Sequence, residues 1–192
     1  MTDTAPTQRR RHGAAGAGWG IFVAGTVGLL ASLILVIERY ELLLDPSYVP
    51  SCSLNPVLSC GSVMTAPQAA LLGFPNPIIG IPAFSVVVVT GVLILGAVAV
   101  PRWYWIGLAA GLSAGVVFVH WLIFESLYRI GALCPYCMAV WAVTIPLWLT
   151  ELARASAWPV LRAWTWPIVA IWYTVVVLLC IERFWEYWRT LL

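Results

Sequence analysis

IIGIPAFSVVVVTGVLILGAVAV at 78–100, then Pro101-Arg102, then WYWIGLAAGLSAGVVFVHWLIF at 103–124: this run carries one formally charged residue, Arg102. Each flank reaches the ~20 apolar residues that a helix needs to cross roughly 30 Å of hydrocarbon. Lipid offers no water to backbone polar groups, so such a segment must satisfy them internally as a helix. The Pro101-Arg102 link is short enough to make these two spans antiparallel neighbours. Working outward, three more stretches qualify: about Trp19 to Ile37, about Cys134 to Leu149 and about Trp164 to Ile181. The chain is 62% hydrophobic and 9% charged, against about a quarter charged in an ordinary soluble domain.

The expected fold class is therefore an all-α integral membrane protein, with spans one to four forming a four-helix transmembrane bundle and the fifth packed outside as a peripheral helix. Gly107, Gly111 and Gly115 recur at four-residue spacing in the third span, a pattern expected to let helices approach closely in lipid. Residues 1–18 are polar and read as a disordered cytoplasmic N-terminus, and residues 19–192 as a single transmembrane domain. The first apolar stretch is longer than a signal-peptide core and lacks a small-residue cleavage site, so it reads as a retained span. No basic run extends beyond Arg9-Arg10-Arg11 and the net charge is +2, so nothing points to nucleic acid.

Arginine placement sets the expected orientation. With the N-terminus cytoplasmic, Arg9, Arg10, Arg11, Arg102, Arg154 and Arg162 fall inside, against Arg39, Arg129, Arg183 and Arg189 outside. The positive-inside rule then places the long connection, residues 38–77, on the exocytoplasmic side. That connection holds Cys52 and Cys60. A second pair, Cys134 and Cys137, opens the fourth span. Two spans separate the pairs, so both emerge on one face whichever way the chain is inserted.

Pro135 suits a first helical position, where its missing N–H leaves nothing unpaired. Cys134 then stands at the N-cap, where free N–H groups and the helix dipole favour a thiolate. Cys137 follows one turn deeper. The pair Cys52-Ser-Leu-Asn-Pro-Val-Leu-Ser-Cys60 sits in a segment expected to be mobile, and such a loop beside a fixed acceptor suits exchange through mixed disulfides. Val63 to Leu72 reads as a helix with Pro67 in its first turn, and Gly73-Phe74-Pro75-Asn76-Pro77 turns the chain into the second span. By themselves the cysteines also admit a structural disulfide or a tetrahedral zinc site on a non-catalytic scaffold; the favoured reading has no metal.

The order C-x7-C, then Gly-Phe-Pro-Asn-Pro-Ile-Ile-Gly at 73–80, then Cys-Pro-Tyr-Cys at the head of the fourth span resembles the vitamin K epoxide reductase family over about Trp19 to Leu149. The fifth span looks like the bacterial branch, whose members oxidise thioredoxin-fold partners and pass electrons to quinone. The resemblance implies a membrane thiol:quinone oxidoreductase of the bacterial inner membrane. Its partner would be a separate DsbA-like thioredoxin-fold protein, since only about ten residues follow the fifth span. Cys52 would exchange with that partner, Cys60 would pass electrons to Cys134, and Cys137 would face the quinone. Asn76 would bond a quinone carbonyl, and Trp141 stands where animal members have a tyrosine. An indole N–H donates but cannot accept. The animal-type alternative is reduction of vitamin K epoxide itself.

A quinone arriving from lipid needs an apolar pocket with few polar groups, for which Met64, Phe84 and Trp141 are candidate walls. All ten basic residues are Arg, a GC-rich bias that favours menaquinone over ubiquinone. His120 in the third span is either a proton relay or a hydrogen-bonded core histidine. Cys180 reads as a small packing hydrophobe, and Trp185, Tyr187, Trp188 and Arg189 as an interfacial belt.

Overall fold

The computed structural model describes residues 5–155 and 159–190, with side chains from residue 15 onward. Its long helices are α1 (Ala5–Leu44), α3 (Pro77–Leu95), α4 (Arg102–Phe124), α5 (Pro135–Ala155) and α6 (Pro159–Arg183). Two short ones, α2 (Cys60–Thr65) and α7 (Trp185–Arg189), lie outside the spans, and a π-helical turn, Glu125–Ile130, extends α4. Five helices are long and apolar enough to cross a membrane. The protein is thus an all-α, multi-pass membrane protein.

Span boundaries depart from the hydropathy estimates for local reasons. Helix α1 takes in residues from Ala5 onward, where polar composition suggests disorder; Ala14, Ala15 and Ala17 are strong helix formers. Residues 1–4 lie outside the described residues. At its other end α1 continues to Leu44, carrying Glu38 past the apolar stretch. Helix α3 stops at Leu95 instead of Val100: Ala97 adopts a left-handed conformation, φ 51°. The Val98 N–H then bonds Leu93 O at 2.9 Å and the Ala97 N–H bonds Ile94 O at 3.0 Å, a Schellman closure. Helix α5 runs on to Ala155, with the Glu151 carboxylate paired to Arg154 at 2.9 Å. The expected Val63–Leu72 helix is broken in two, because Pro67 cannot continue α2 and instead starts a short 3-10 turn, Pro67–Ala70.

Helix packing is uneven around the bundle. Helix α1 lies along α3 and also meets α5, which in turn packs on α4 and α6. The α1–α3 seam is made by glycines. A Cβ on Gly91 would sit 2.7 Å from the Phe22 backbone nitrogen, and one on Gly28 would overlap the Phe84 ring. Helices α3 and α4 are not among the closely packed pairs, so the neighbours expected from the Pro101-Arg102 link diverge instead. Near the link they are tied by Thr90 Oγ1 and Tyr104 OH, 2.6 Å apart. Beyond that tie a cavity of about 530 Å³ separates them. Gly107, Gly111 and Gly115 line this cavity, and added Cβ atoms at Gly107 and Gly111 would meet nothing within 4 Å. The glycine stripe on α4 therefore faces a void, and the close helix contact it suggests is made elsewhere.

Helix α6 lies outside the other four, as the hydropathy pattern implies. Tyr173 OH donates to Ala142 O of α5, and Arg183 Nε donates to Leu127 O at 2.7 Å. Trp172 Nε1 donates to His120 Nε2 at 2.9 Å. An indole N–H is a donor only, so His120 carries its proton on Nδ1 and gives it to Val116 O at 2.8 Å. Both ring nitrogens are thus engaged, Nε2 joining α4 to α6 and Nδ1 bonding back within α4. Cys180 packs among the apolar side chains around Leu127 and Phe184.

Candidate active site

Three sulfurs converge at one end of the bundle. Cys52 and Cys60 form a disulfide with Cα atoms 5.5 Å apart, and Cys134 Sγ lies 3.1 Å from Cys60 Sγ. Reacting atoms held at about 3–3.5 Å are in near-attack range. Cys60 and Cys134 are both fully buried, so water does not compete for this contact. Even-span counting puts the two pairs on one face; backbone bonding brings them together. Leu58 and Leu133 form a parallel bridge, in which the Ser59 N–H bonds Leu133 O at 2.9 Å and the Leu133 N–H bonds Val57 O at 2.7 Å. Asn55 Oδ1 accepts from the N–H groups of Val57 and Leu58, shaping the loop that enters the bridge. Ser59 caps α2, its Oγ accepting from the Ser62 N–H. The Cys60 half of the C-x7-C loop, expected to be mobile, is stitched to the chain just before Cys134.

Cys134 stands one residue ahead of α5, and its carbonyl accepts the first helical bond, from the Met138 N–H at 2.9 Å. The neighbouring Cys137 side chain is the main cause that holds the Cys134 thiol below its ordinary pKa; the N–H groups of Cys137 and Tyr136 add to this, and burial and the Glu38 charge oppose it. The helix start thus does favour a thiolate, with the neighbouring cysteine as the larger influence. Cys134 and Cys137 are free thiols. The structure therefore holds an outer disulfide beside an inner dithiol.

From the inner pair the cavity between α3 and α4 begins. Cys137, Met64, Asn76, Phe84 and Trp141 all line it, so the five residues singled out from the sequence share one chamber. Asn76 is partly committed already: its Oδ1 accepts from the Leu71 N–H at 3.0 Å and its Nδ2 donates to Gln68 O at 2.7 Å. These bonds hold the 3-10 turn over the chamber and leave one amide hydrogen of Asn76 unassigned. Trp141 is buried, and among the described residues its indole N–H has no partner. A buried unpaired donor costs roughly 1–3 kcal/mol, a penalty that a carbonyl oxygen in the chamber would relieve. His120 does not line the chamber, and its engaged nitrogens favour the structural reading over a relay.

Cys52, Cys60 and Cys134 also lie close enough together to hold a metal ion. With Cys52 and Cys60 joined as a disulfide, however, only one thiolate is on offer, and zinc needs deprotonated sulfur ligands. The geometry is that of thiol–disulfide exchange.

A family model for the vitamin K epoxide reductase family matches residues 19–152. The chain belongs to that family. The match covers α1 to α5 and with them all four cysteines of the cluster, whereas α6 lies beyond it. No curated protein matches the chain. As a member of the vitamin K epoxide reductase family, a group that generally uses quinones, it is a membrane oxidoreductase.

Three features of the site escape the sequence. Along the chain, Glu38 and Arg39 register only as charges that report topology, yet the Glu38 carboxylate is buried among loop donors and Arg39 lines the chamber. Gln68 supplies the carbonyl that holds Asn76. A Glu-Arg pair closing an apolar span is the one visible signal, because buried charge near a membrane surface is expensive and usually has a use.

Proposed function

We propose that this chain oxidises a secreted thioredoxin-fold protein and delivers the electrons to a membrane quinone. The observation that carries the reading is Cys134 Sγ at 3.1 Å from Cys60 of the outer disulfide, with Cys137 on the wall of an apolar chamber. A partner thiolate attacks Cys52 Sγ; the Cys52–Cys60 bond breaks and its electron pair leaves on Cys60. The partner's second thiolate attacks the mixed disulfide, so the partner departs oxidised and Cys52 is a thiolate. Once quinone has oxidised the inner dithiol, Cys60 attacks the resulting Cys134–Cys137 disulfide at Cys134, expelling Cys137 as thiolate. Cys52 recloses on Cys60 and releases Cys134. The inner dithiol passes two electrons and two protons to quinone, giving hydroquinone and restoring the inner disulfide.

Several features support the remaining assignments. The unpaired Trp141 N–H and the spare Asn76 amide hydrogen suit two quinone carbonyls, and Met64 and Phe84 suit the walls. Arginine placement supports a cytoplasmic N-terminus with the cysteines outside, in the bacterial inner membrane, where an oxidising compartment keeps disulfides. The all-Arg basic set favours menaquinone. The partner would be a separate DsbA-like chain.

A trapping experiment tests the order of the relay. Purified Cys60→Ala protein, with Cys52 as a free thiol, should attack the disulfide form of candidate thioredoxin-fold partners and retain a mixed disulfide at Cys52 while the partner's other sulfur leaves as thiolate; a Cys52→Ala/Cys60→Ala protein should not. A trap that persists without Cys52, or wild-type protein that oxidises no partner as quinone is consumed, sinks the proposal.

A further inference from the structure

The two arms of the outer disulfide are held by different chemistry. On the Cys60 side, backbone bonds to Leu133 fix the chain beside Cys134. On the Cys52 side, Cys52 packs against Leu35 of α1, and among the described residues the hydrogen bonds of residues 46–52 to the helical scaffold go to one group, the carboxylate of Glu38 near the end of α1. Tyr48 OH donates to Glu38 Oε2 at 3.0 Å, and the Ser51 N–H donates to the same oxygen at 3.2 Å. Ser51 Oγ donates to Oε1. Among the described residues, the other hydrogen bonds of this arm are local turns: the Tyr48 N–H to Asp45 O, the Ser53 N–H to Pro50 O, and Ser47 to the Asp45 carboxylate.

This matters because Cys52 is 5% exposed while the neighbouring Ser51 is exposed. An incoming thiolate must reach the Cys52 sulfur along the S–S axis, and the burial of Cys52 restricts that approach while the arm is seated. Hydrogen bonds to a carboxylate are about twice as strong as neutral ones, so the seated arm resists opening. Once Cys52 has been attacked, the covalent tie to Cys60 is gone. Glu38 is then the group that still returns the arm to its place.

We infer that Glu38 is a positioning residue, a carboxylate latch on Ser51 and Tyr48 that seats the Cys52 arm and sets how readily external thiols open the Cys52–Cys60 disulfide. The inference rests on the relay reading, in which Cys52 is the protein-facing end. Glu38 itself touches no reacting sulfur and takes part in no bond exchange. Its main effect is on the outer half-reaction; on the inner pair it acts only as the smallest influence on the Cys134 thiol, which its charge pushes up.

Two half-reactions on the purified, full-length protein separate the possibilities. In the first, dithiothreitol opens the outer disulfide, and maleimide mass-tagging of quenched samples follows Cys52 and Cys60. In the second, the fully reduced protein is mixed with a short-chain quinone, and closure of Cys134 with Cys137 is followed in the same way. Glu38→Ala should open roughly tenfold faster than wild type, on the scale of one lost charge-assisted hydrogen bond. Its quinone half-reaction should change far less than its opening rate. Glu38→Gln keeps an acceptor for the Ser51 N–H and should return the opening rate to within about threefold of wild type. Should Glu38→Ala fail to fold, the Tyr48→Phe/Ser51→Ala double variant removes the two hydroxyl donors from the loop alone and should also open faster. Opening at the wild-type rate in these variants overturns the latch, as does an equal change in both half-reactions. A relay failure looks different: quinone would leave the Cys134/Cys137 dithiol unoxidised in wild type, whatever the opening rates show.

Discussion

The α1–α3 seam and the α3–α4 gap use the same residue for opposite ends. At the seam, Gly28 and Gly91 let Phe84 and the Phe22 backbone into the space a side chain would fill. Across the gap, Gly107 and Gly111 face a chamber with nothing near enough to fill it. Small residues in lipid-embedded helices thus mark either closeness or vacancy, and the difference lies in what the facing helix brings. Helix α1 brings backbone; α3, tilted away from α4, brings distance. The seam makes the scaffold rigid, while the gap leaves room for an apolar substrate next to Cys137.

Substitutions at the two sets should therefore behave oppositely. The largest effect is expected for Gly91→Leu, where any Cβ meets the Phe22 backbone at under 3 Å. Overpacking of a tight core costs about 1–3 kcal/mol or more, and this one pushes against main chain, so the variant should fail to accumulate as folded protein on size-exclusion chromatography. A normally folded Gly91→Leu protein would mean the seam is looser than its geometry. Next comes Gly111→Leu, which should fold normally and raise the KM for quinone by about tenfold, the scale of one misplaced side chain in an apolar pocket. Its opening by dithiothreitol should stay at the wild-type rate. If quinone kinetics are untouched, the chamber is not the quinone's path. Smallest is Gly107→Ala, expected to move thermal stability by less than about 0.5 kcal/mol; a large loss there would show that the gap closes in the membrane.

Much of the site is legible in the sequence alone. Pro135 after Cys134 marks a helix start, and the lowered thiol pKa it suggests holds in direction. The leading cause does not show in the sequence, because it depends on where the Cys137 side chain turns within its first helical turn. The Cys60–Cys134 contact is equally hidden: it is set by a two-bond bridge between Leu58 and Leu133, residues 75 positions apart with nothing local to pair them. The family resemblance points to Asn76 as a chamber residue, but its bonds to Leu71 and Gln68 give it a holding role in the turn that the resemblance does not announce. In the sequence Glu38 is one acid among several on the outer side.

Hydropathy is a sum along the chain, and whatever depends on such sums the sequence determined by itself: five spans, and an even number between the cysteine pairs and hence one shared face; Pro135 in the same way marks the helix start beside Cys134. Which glycines are filled, which helices part to leave a chamber, and which arm of the outer disulfide is bonded to backbone and which to a carboxylate were decided only by tertiary structure. Those outcomes turn on which faces meet at distances of a few ångströms, and a glycine in the sequence carries no record of what stands opposite it.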